Sequence, residues 1–278
     1  MTSVDFQQRD QPDGVPPLAL TGERTLPDVP EENYWFRRHL VVYEWIAARV
    51  AGVKVIDMAC GEGYGADVLA RSAASVVGVD ANPQAHEHAR LRYRRSNLRF
   101  ARDLVDTFSE PADAVVFLQT VEHLTDPRAT LAHFRTLVAG AREPVRPPAR
   151  ADVGTSTAVA TSGVVFVSTP NVLTLAPKGA ERSGNPWHVH EYRAQEFEQL
   201  CRSCFSRVEM YGLFHARKLR AHELALRAGW DAVHPRLRLT KRFYGWFTPA
   251  IAVSDFAVRG AGEAPLDSAL DFLAVCRP

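Results

Sequence analysis

The residues best placed to do chemistry lie in one run, Lys54-Val-Ile-Asp57-Met-Ala59-Cys60-Gly61-Glu62-Gly63-Tyr64-Gly65. A β-branched stretch (Val53, Val55, Ile56) runs into three glycines spaced two apart, and a helical pattern follows at once. Strand, glycine-rich turn and helix let a backbone approach a nucleotide-like ligand, because no Cβ stands in the way. The next strand, from Ser75, ends at Asp80. A carboxylate there can accept both hydroxyls of a ribose. The glycines alone also fit a dinucleotide site, so Asp57 is the deciding residue. A carboxylate at that strand end repels a pyrophosphate and attracts an ammonium group. The ligand implied carries a ribose and a cationic amine. An ordinary βα turn flanked by surface acids is the plain alternative.

The elements that must position these groups follow an alternating βα rhythm. Residues 1–20, rich in Gln, Asp and Pro, are expected to be disordered. Residues 21–50 read as a helical cap, with a helix from Glu31 to Val50 placed to lie over the mouth of the site. On it, Arg38 can offer a guanidinium fork to a carboxylate that Asp57 cannot hold. The core is expected over 51–216. Strand three, Asn97 to Ala101, leads to Asp103 and Leu104, a carboxylate and an amide able to meet an adenine ring. Strand four, Ala112 to Leu118, leads into Gln119-Thr-Val-Glu122-His123. Residues 140–162 read as a flexible insertion, and strand five follows from Gly163 to Ser168. Residues 217–278 read as a helical cap with a closing strand.

Composition sets outer limits. A chain of 278 residues with 46% hydrophobic content can bury one large α/β core plus caps. A net charge of +1 argues against a polyanionic partner over the whole surface, and no base-flipping Asn/Asp-Pro-Pro-Tyr signature speaks for nucleic acid. No apolar run reaches the roughly twenty residues of a membrane span. Four cysteines make no secreted framework and the N-terminus shows no signal pattern, so a cytoplasmic location is expected. Cys201-x-x-Cys204, without a second pair, reads as two packing thiols. Residues 228–256 interleave aromatics with Arg236, Arg238, Lys241 and Arg242. They can cradle a sugar chain, touch an anionic membrane surface, or simply form a solvated basic face.

The pattern apolar-apolar-Asp-x-x-Cys-Gly-x-Gly-x-Gly, with Asp80 in register, resembles the class I S-adenosylmethionine-dependent methyltransferases. Gly22-Glu-Arg24, the Glu32–His39 stretch, Glu122-His123-Leu124, Ser168-Thr-Pro-Asn171 and Asn185-Pro-Trp-His188-Val-His190-Glu191 come in an order similar to a bacterial saccharide- and glycolipid-associated branch. The opening motifs look like those of the actinobacterial methylglucose lipopolysaccharide methyltransferases. The resemblance implies a doubly wound, Rossmann-like sheet of seven strands in the order 3-2-1-4-5-7-6, the last antiparallel. It implies S-adenosylmethionine as cofactor, held by Arg38, Asp57, Ala59, Gly61, Gly63, Asp80, Ala81, Asp103, Leu104 and Gln119. The acceptor it implies is a saccharide or glycolipid hydroxyl, with a quinone-like small molecule as the second reading. A nicotinamide-dependent oxidoreductase is a third, disfavoured by Asp57.

Methyl transfer to a sugar hydroxyl gains from a general base. His123 follows strand four on the carboxyl edge, where ligands bind in open α/β sheets, and an ordinary imidazole pKa of about 6.5 suits the task. His188, with His190, faces the same edge, although a loop histidine is often only a hydrogen-bonded structural residue. Glu122-His123 also resembles part of the metal-binding Glu-x-x-Glu-His of ubiquinone-pathway O-methyltransferases. Gln119 replaces the first glutamate, and an amide oxygen is a weak ligand for a hard cation, so no metal is expected.

Overall fold

The computed structural model describes residues 8–9, 11–21, 24–140, 163–177 and 179–278. Of the flexible insertion expected over 140–162, residues 141–162 lie outside that set. Five strands run parallel: β1 (Lys54–Met58), β2 (Ser75–Val79), β3 (Leu98–Ala101), β4 (Ala114–Leu118) and β5 (Val164–Pro170). Three more complete the sheet: β6 (Arg207–His215), β7 (Phe256–Gly260) and β8 (Asp271–Arg277). The order is β3-β2-β1-β4-β5-β8-β6-β7, with β8 antiparallel to both β5 and β6. The expected order therefore holds as far as β6, and the sheet has eight strands rather than seven. The eighth, β7, pairs antiparallel with β6 inside a stretch whose sequence reads as helical cap. Its Phe-Ala-Val-Arg-Gly is only partly buried, so it lacks the apolar run by which a central strand announces itself.

Helices cover both faces, and the period-two alternation of the strands divides the core between them. Ile56, Met58 and Phe117 pack with Phe134 of α4 (Pro127–Val138) and Phe197 of α6 (Ala194–Arg202). On the other face Val55 and Val116 meet Ile46 of α1 (Asn33–Ala47) and Leu69 of α2 (Tyr64–Leu69). Helix starts are written locally. Asn82 caps α3 (Pro83–Arg92), its side chain accepting from Gln84 N and Ala85 N at 3.0 Å, and Asp126 caps α4 from Ala129 N at 2.9 Å. A short α5 (Val172–Leu175) follows β5, while α7 (Arg217–Arg227), α8 (Trp230–Arg236) and α9 (Thr240–Phe247) form the cap. Cys201 and Cys204 are buried, free thiols in the first core cluster.

The expectation of disorder over residues 1–20 needs correction for the described part. Gln8, Val15 and Leu18 are buried, and Leu18 packs with Leu26 and Val29. Polar contacts fix this strap where apolar periodicity is missing. Leu18 N donates to Gln8 Oε1 at 3.2 Å, and His88 Nδ1 on α3 meets Pro16 O at 2.7 Å.

Candidate active site

The carboxyl ends of β1, β2 and β4 open into a cavity of about 290 Å³. Ala59 and Gly61 line it from the turn after β1, Asp80 from the end of β2, and Gln119 and His123 from the segment after β4. From above, His39 and Tyr43 of α1 close it, with Arg24 and Thr25 of the N-terminal strap. Two lining residues that are not glycine, Ala59 and Gln119, hold left-handed backbone at φ 56° and 53°. Such strain costs of order 1–3 kcal/mol and persists where the surroundings over-determine it, as at ligand sites. Gln119 is held by Ser168, whose carbonyl accepts from Gln119 N at 3.1 Å and whose hydroxyl accepts from Nε2 at 3.1 Å.

Asp57 is fully buried at the end of β1. One carboxylate oxygen accepts from the Tyr43 hydroxyl at 3.2 Å; the other, Oδ2, is buried without a hydrogen-bond partner among the described residues. Burial pushes this carboxyl from its ordinary 3.8 up to about 8, with the Tyr43 hydroxyl opposing and the charge of Asp80 adding to the rise. The glycine turn makes the arrangement possible. A Cβ on Gly65 would stand 2.1 Å from the Tyr43 ring, so only glycine lets that tyrosine reach Asp57 across α2. Gly61, at φ 57°, has no heavy atom within 4 Å of where its Cβ would be, which leaves the turn open beside the cavity. Its amide donates to Asp80 Oδ2 at 2.8 Å, and Asn82 N donates to Oδ1 at 2.8 Å, so two amides aim that carboxylate.

A ligand with a ribose and an ammonium group fits these carboxylates: Asp80 lines the cavity already aimed, and Asp57, buried and not itself among the lining residues, keeps one oxygen without a hydrogen-bond partner among the described residues. Two comparisons of sequence bear on what that ligand is. A methyltransferase-domain family model matches residues 28–142. A probable S-adenosylmethionine-dependent methyltransferase of Mycolicibacterium smegmatis is 35% identical over 275 residues, covering 95% of this chain and 97% of the relative. The chain belongs to the S-adenosylmethionine-dependent methyltransferases. A probable methyltransferase of Mycobacterium tuberculosis is 36% identical over 267 residues, 93% of this chain and 89% of its own. A ubiquinone biosynthesis O-methyltransferase of Albidiferax ferrireducens is 32% identical over 203 residues, 66% of this chain and 70% of its own. In fold, an Archaeoglobus fulgidus S-adenosylmethionine-dependent methyltransferase aligns at a TM-score of 0.51 with 12% identity, over 88% of this chain and 94% of that one. S-adenosylmethionine is the methyl donor.

Several residues of this methyltransferase lie elsewhere than their spacing suggests. Arg38 does not face the cavity with an open fork. It is buried, and Nε and Nη2 donate to the two Asp271 oxygens at 2.7 and 2.6 Å, with a further bond to Leu270 O at 2.8 Å. The arginine that does line the cavity is Arg24. Leu104 N is spent on Asp103 Oδ1 at 2.8 Å, which also accepts from the Thr107 hydroxyl, and neither residue is among those lining the cavity. Gly63, at φ 97°, packs against α3 instead, where a Cβ would meet Ala89 at 2.8 Å. Ala81 is exposed beside Asp80.

Glu62 carries a role that its place inside the glycine turn does not disclose. It is buried, and its Oε1 accepts from Gln8 at 2.9 Å, His88 Nε2 at 2.9 Å and Arg92 at 3.1 Å. Oε2 accepts from the Tyr93 hydroxyl at 2.7 Å and from Tyr64 N at 3.1 Å. One carboxylate thus ties the strap and α3 to the turn. Above it, Thr25 bridges Tyr64 and His39, and burial pushes the His39 ring down to about 4, so it stays neutral at physiological pH.

The two candidate bases come together but are not equivalent. Their rings meet edge to face at 5.1 Å between centroids. His188 spends both nitrogens on protein: Nδ1 on Glu191 at 2.7 Å and Nε2 on Asn185 at 3.0 Å. His123 Nδ1 lies 3.0 Å from Trp187 O. A carbonyl only accepts, so Nδ1 carries a proton. Glu122, beside it, is buried and pushed up to about 8 by that burial, against a bond from the Thr169 hydroxyl at 3.0 Å. Gln119, standing where a glutamate would bind a metal, is a weak ligand for a hard cation. The fold brings His188 in its place, so that one donor atom each from Glu122, His123 and His188 lies within 4.8 Å of the others. A cation there would compete with Asn185 or Glu191 for His188.

The raised Asp57 carboxyl makes a prediction with a definite sign. Between pH 4 and 8 the folded, ligand-free protein keeps a proton there that the unfolded chain gives up, so this group's contribution to stability falls as pH rises. Asp57→Asn should accordingly melt above the wild type at pH 8 while binding S-adenosylmethionine more weakly. Melting scans with and without cofactor measure both. A variant that melts lower without cofactor would show that the buried charge is compensated.

Proposed function

We propose that the protein transfers a methyl group to a hydroxyl oxygen, with His123 taking the proton. The observation that carries this reading is the bond from His123 Nδ1 to Trp187 O, which sets the tautomer of a histidine lining the cavity. S-adenosylmethionine, when bound, supplies an electrophilic methyl group on a sulfonium. Asp57 would hold its ammonium end, Asp80 its ribose and Arg24 its carboxylate, each a charge-assisted contact. His123 would receive the acceptor's proton as the oxygen attacks, and α1 with the strap would exclude water. The saccharide or glycolipid acceptor rests on the Gly22-Glu-Arg24 and Pro186-Trp-His188 motifs of the sequence. A quinone-like phenol is the second reading, favoured by the 32% identity to a ubiquinone biosynthesis O-methyltransferase.

Incubation with S-adenosylmethionine and either a glucose-containing oligosaccharide or a catechol, followed by mass spectrometry, tests the acceptor. A gain of one methyl on the catechol alone would discard the saccharide. Calorimetry tests the cofactor assignments: Arg24→Ala and Asp80→Ala should each weaken S-adenosylmethionine by about 1–3 kcal/mol. Undiminished affinity in either variant removes that residue from the site.

A further inference from the structure

Among the described residues nine large apolar side chains are exposed, and four of them fall between positions 224 and 246: Leu224, Val233, Leu237 and Trp246, the last 70% exposed. Scattered single residues on an ordinary surface do not cluster this way. Beyond Asp231 the charge of the same segment has one sign. From Ala232 to Ser254 there is no Asp or Glu, while Arg236, Arg238, Lys241 and Arg242 are all exposed. None of these four makes an ion pair among the described residues; the neighbouring pairs are Arg227–Glu223 and Lys218–Asp255. Trp246 shares an apolar cleft with Trp230, Leu239 and Phe243, and Arg242 forms part of its wall.

The segment is anchored. Phe247 and Ile251 are buried in the core shared with α1. Asn33, at the start of α1, donates to Thr248 O at 2.8 Å and Ile251 O at 2.9 Å. His222 of α7 stacks on Phe243 with ring centroids 5.8 Å apart. The exposed tryptophan and leucines therefore stand on packed helices.

We infer that residues 224–246 are a docking surface for an anionic lipid bilayer. Exposed Trp, Leu and Val provide the apolar area that enters the headgroup boundary, and the four uncompensated cations are drawn to anionic headgroups. A second copy of this surface is a poor occupant, because it would bring eight unpaired cations together against only two carboxylates, the Asp231 of each copy. Nucleic acid would engage the cations and leave the Leu and Val side chains in water. The anchor runs to α1, whose His39 and Tyr43 line the cofactor cavity, so one helix joins the docking surface to the methyl-donor site. The inference stands independently of which hydroxyl is methylated.

Co-sedimentation of the full chain with vesicles tests it. Binding is expected to phosphatidylcholine vesicles containing phosphatidylglycerol, not to phosphatidylcholine alone, and should weaken in high salt. Lys241→Glu with Arg242→Glu should lower partitioning at least about tenfold, and Trp246→Ser several-fold. S-adenosylmethionine affinity, measured on each variant, reports that it is folded; if the charge reversal fails to fold, the paired change to glutamine reads the same loss. Equal binding to both vesicle types, undiminished binding of the charge variant, or full displacement by a short DNA duplex would overturn the inference.

Discussion

Replacing Arg38 with alanine is expected to destabilise the protein by about 3–5 kcal/mol, the cost of removing one partner from a buried ion pair. Both side chains are almost wholly enclosed, at 5% and 3% exposure, and the fork is bidentate. The loss arises chiefly because Asp271 would be left buried and unpaired, not because the pair itself is worth that much. For a chain of this size the melting temperature should fall by roughly 10 °C. Replacing both partners, Arg38→Met with Asp271→Leu, should recover much of it. A fall of only a degree or two in the single variant would mean that water reaches Asp271. The pair also matters to the site, since Asp271 lines the cofactor cavity and Arg38 bonds the carbonyl of Leu270, the residue just before β8. Cofactor affinity should drop in the single variant as well, and a double variant that regains stability without regaining affinity would separate the two effects.

That pair marks where sequence reading stops. The run from Val53 to Gly65 declares strand, turn and helix through neighbours alone, and Asp57 and Asp80 fall at strand ends that β-branched runs make plain. The caps Asn82 and Asp126 are equally local. Arg38, by contrast, has its partner 233 positions away, and nothing in the spacing of a helix says which far strand its side chain will meet. Its position beside the cavity mouth points to a ligand carboxylate; a protein carboxylate at the head of β8 takes that place. The same limit hides Glu62, whose five donors come from the strap, α3 and its own turn, and Arg24, visible only as part of a motif. Strand β7 was lost for another reason. An edge strand needs one partner, and here half-buried Ala, Val and Arg suffice.

His123→Ala is the substitution expected to cost most in turnover, about 10²–10⁴-fold, the usual worth of a positioned base. Affinity for S-adenosylmethionine should hardly change, because the contacts assigned to the ammonium, ribose and carboxylate ends lie on Asp57, Asp80 and Arg24. His188→Ala offers the necessary contrast. With Nδ1 on Glu191 and Nε2 on Asn185, His188 has no lone pair to give an acceptor without breaking a protein contact. Its loss should act through position, loosening the loop that carries Trp187 and thereby the tautomer of His123. A smaller fall in turnover than in His123→Ala is the signature of that indirect role. If the two variants lose turnover equally, the histidines work as one unit, and the cation that Glu122, His123 and His188 are close enough to share becomes the better account of how the hydroxyl is activated.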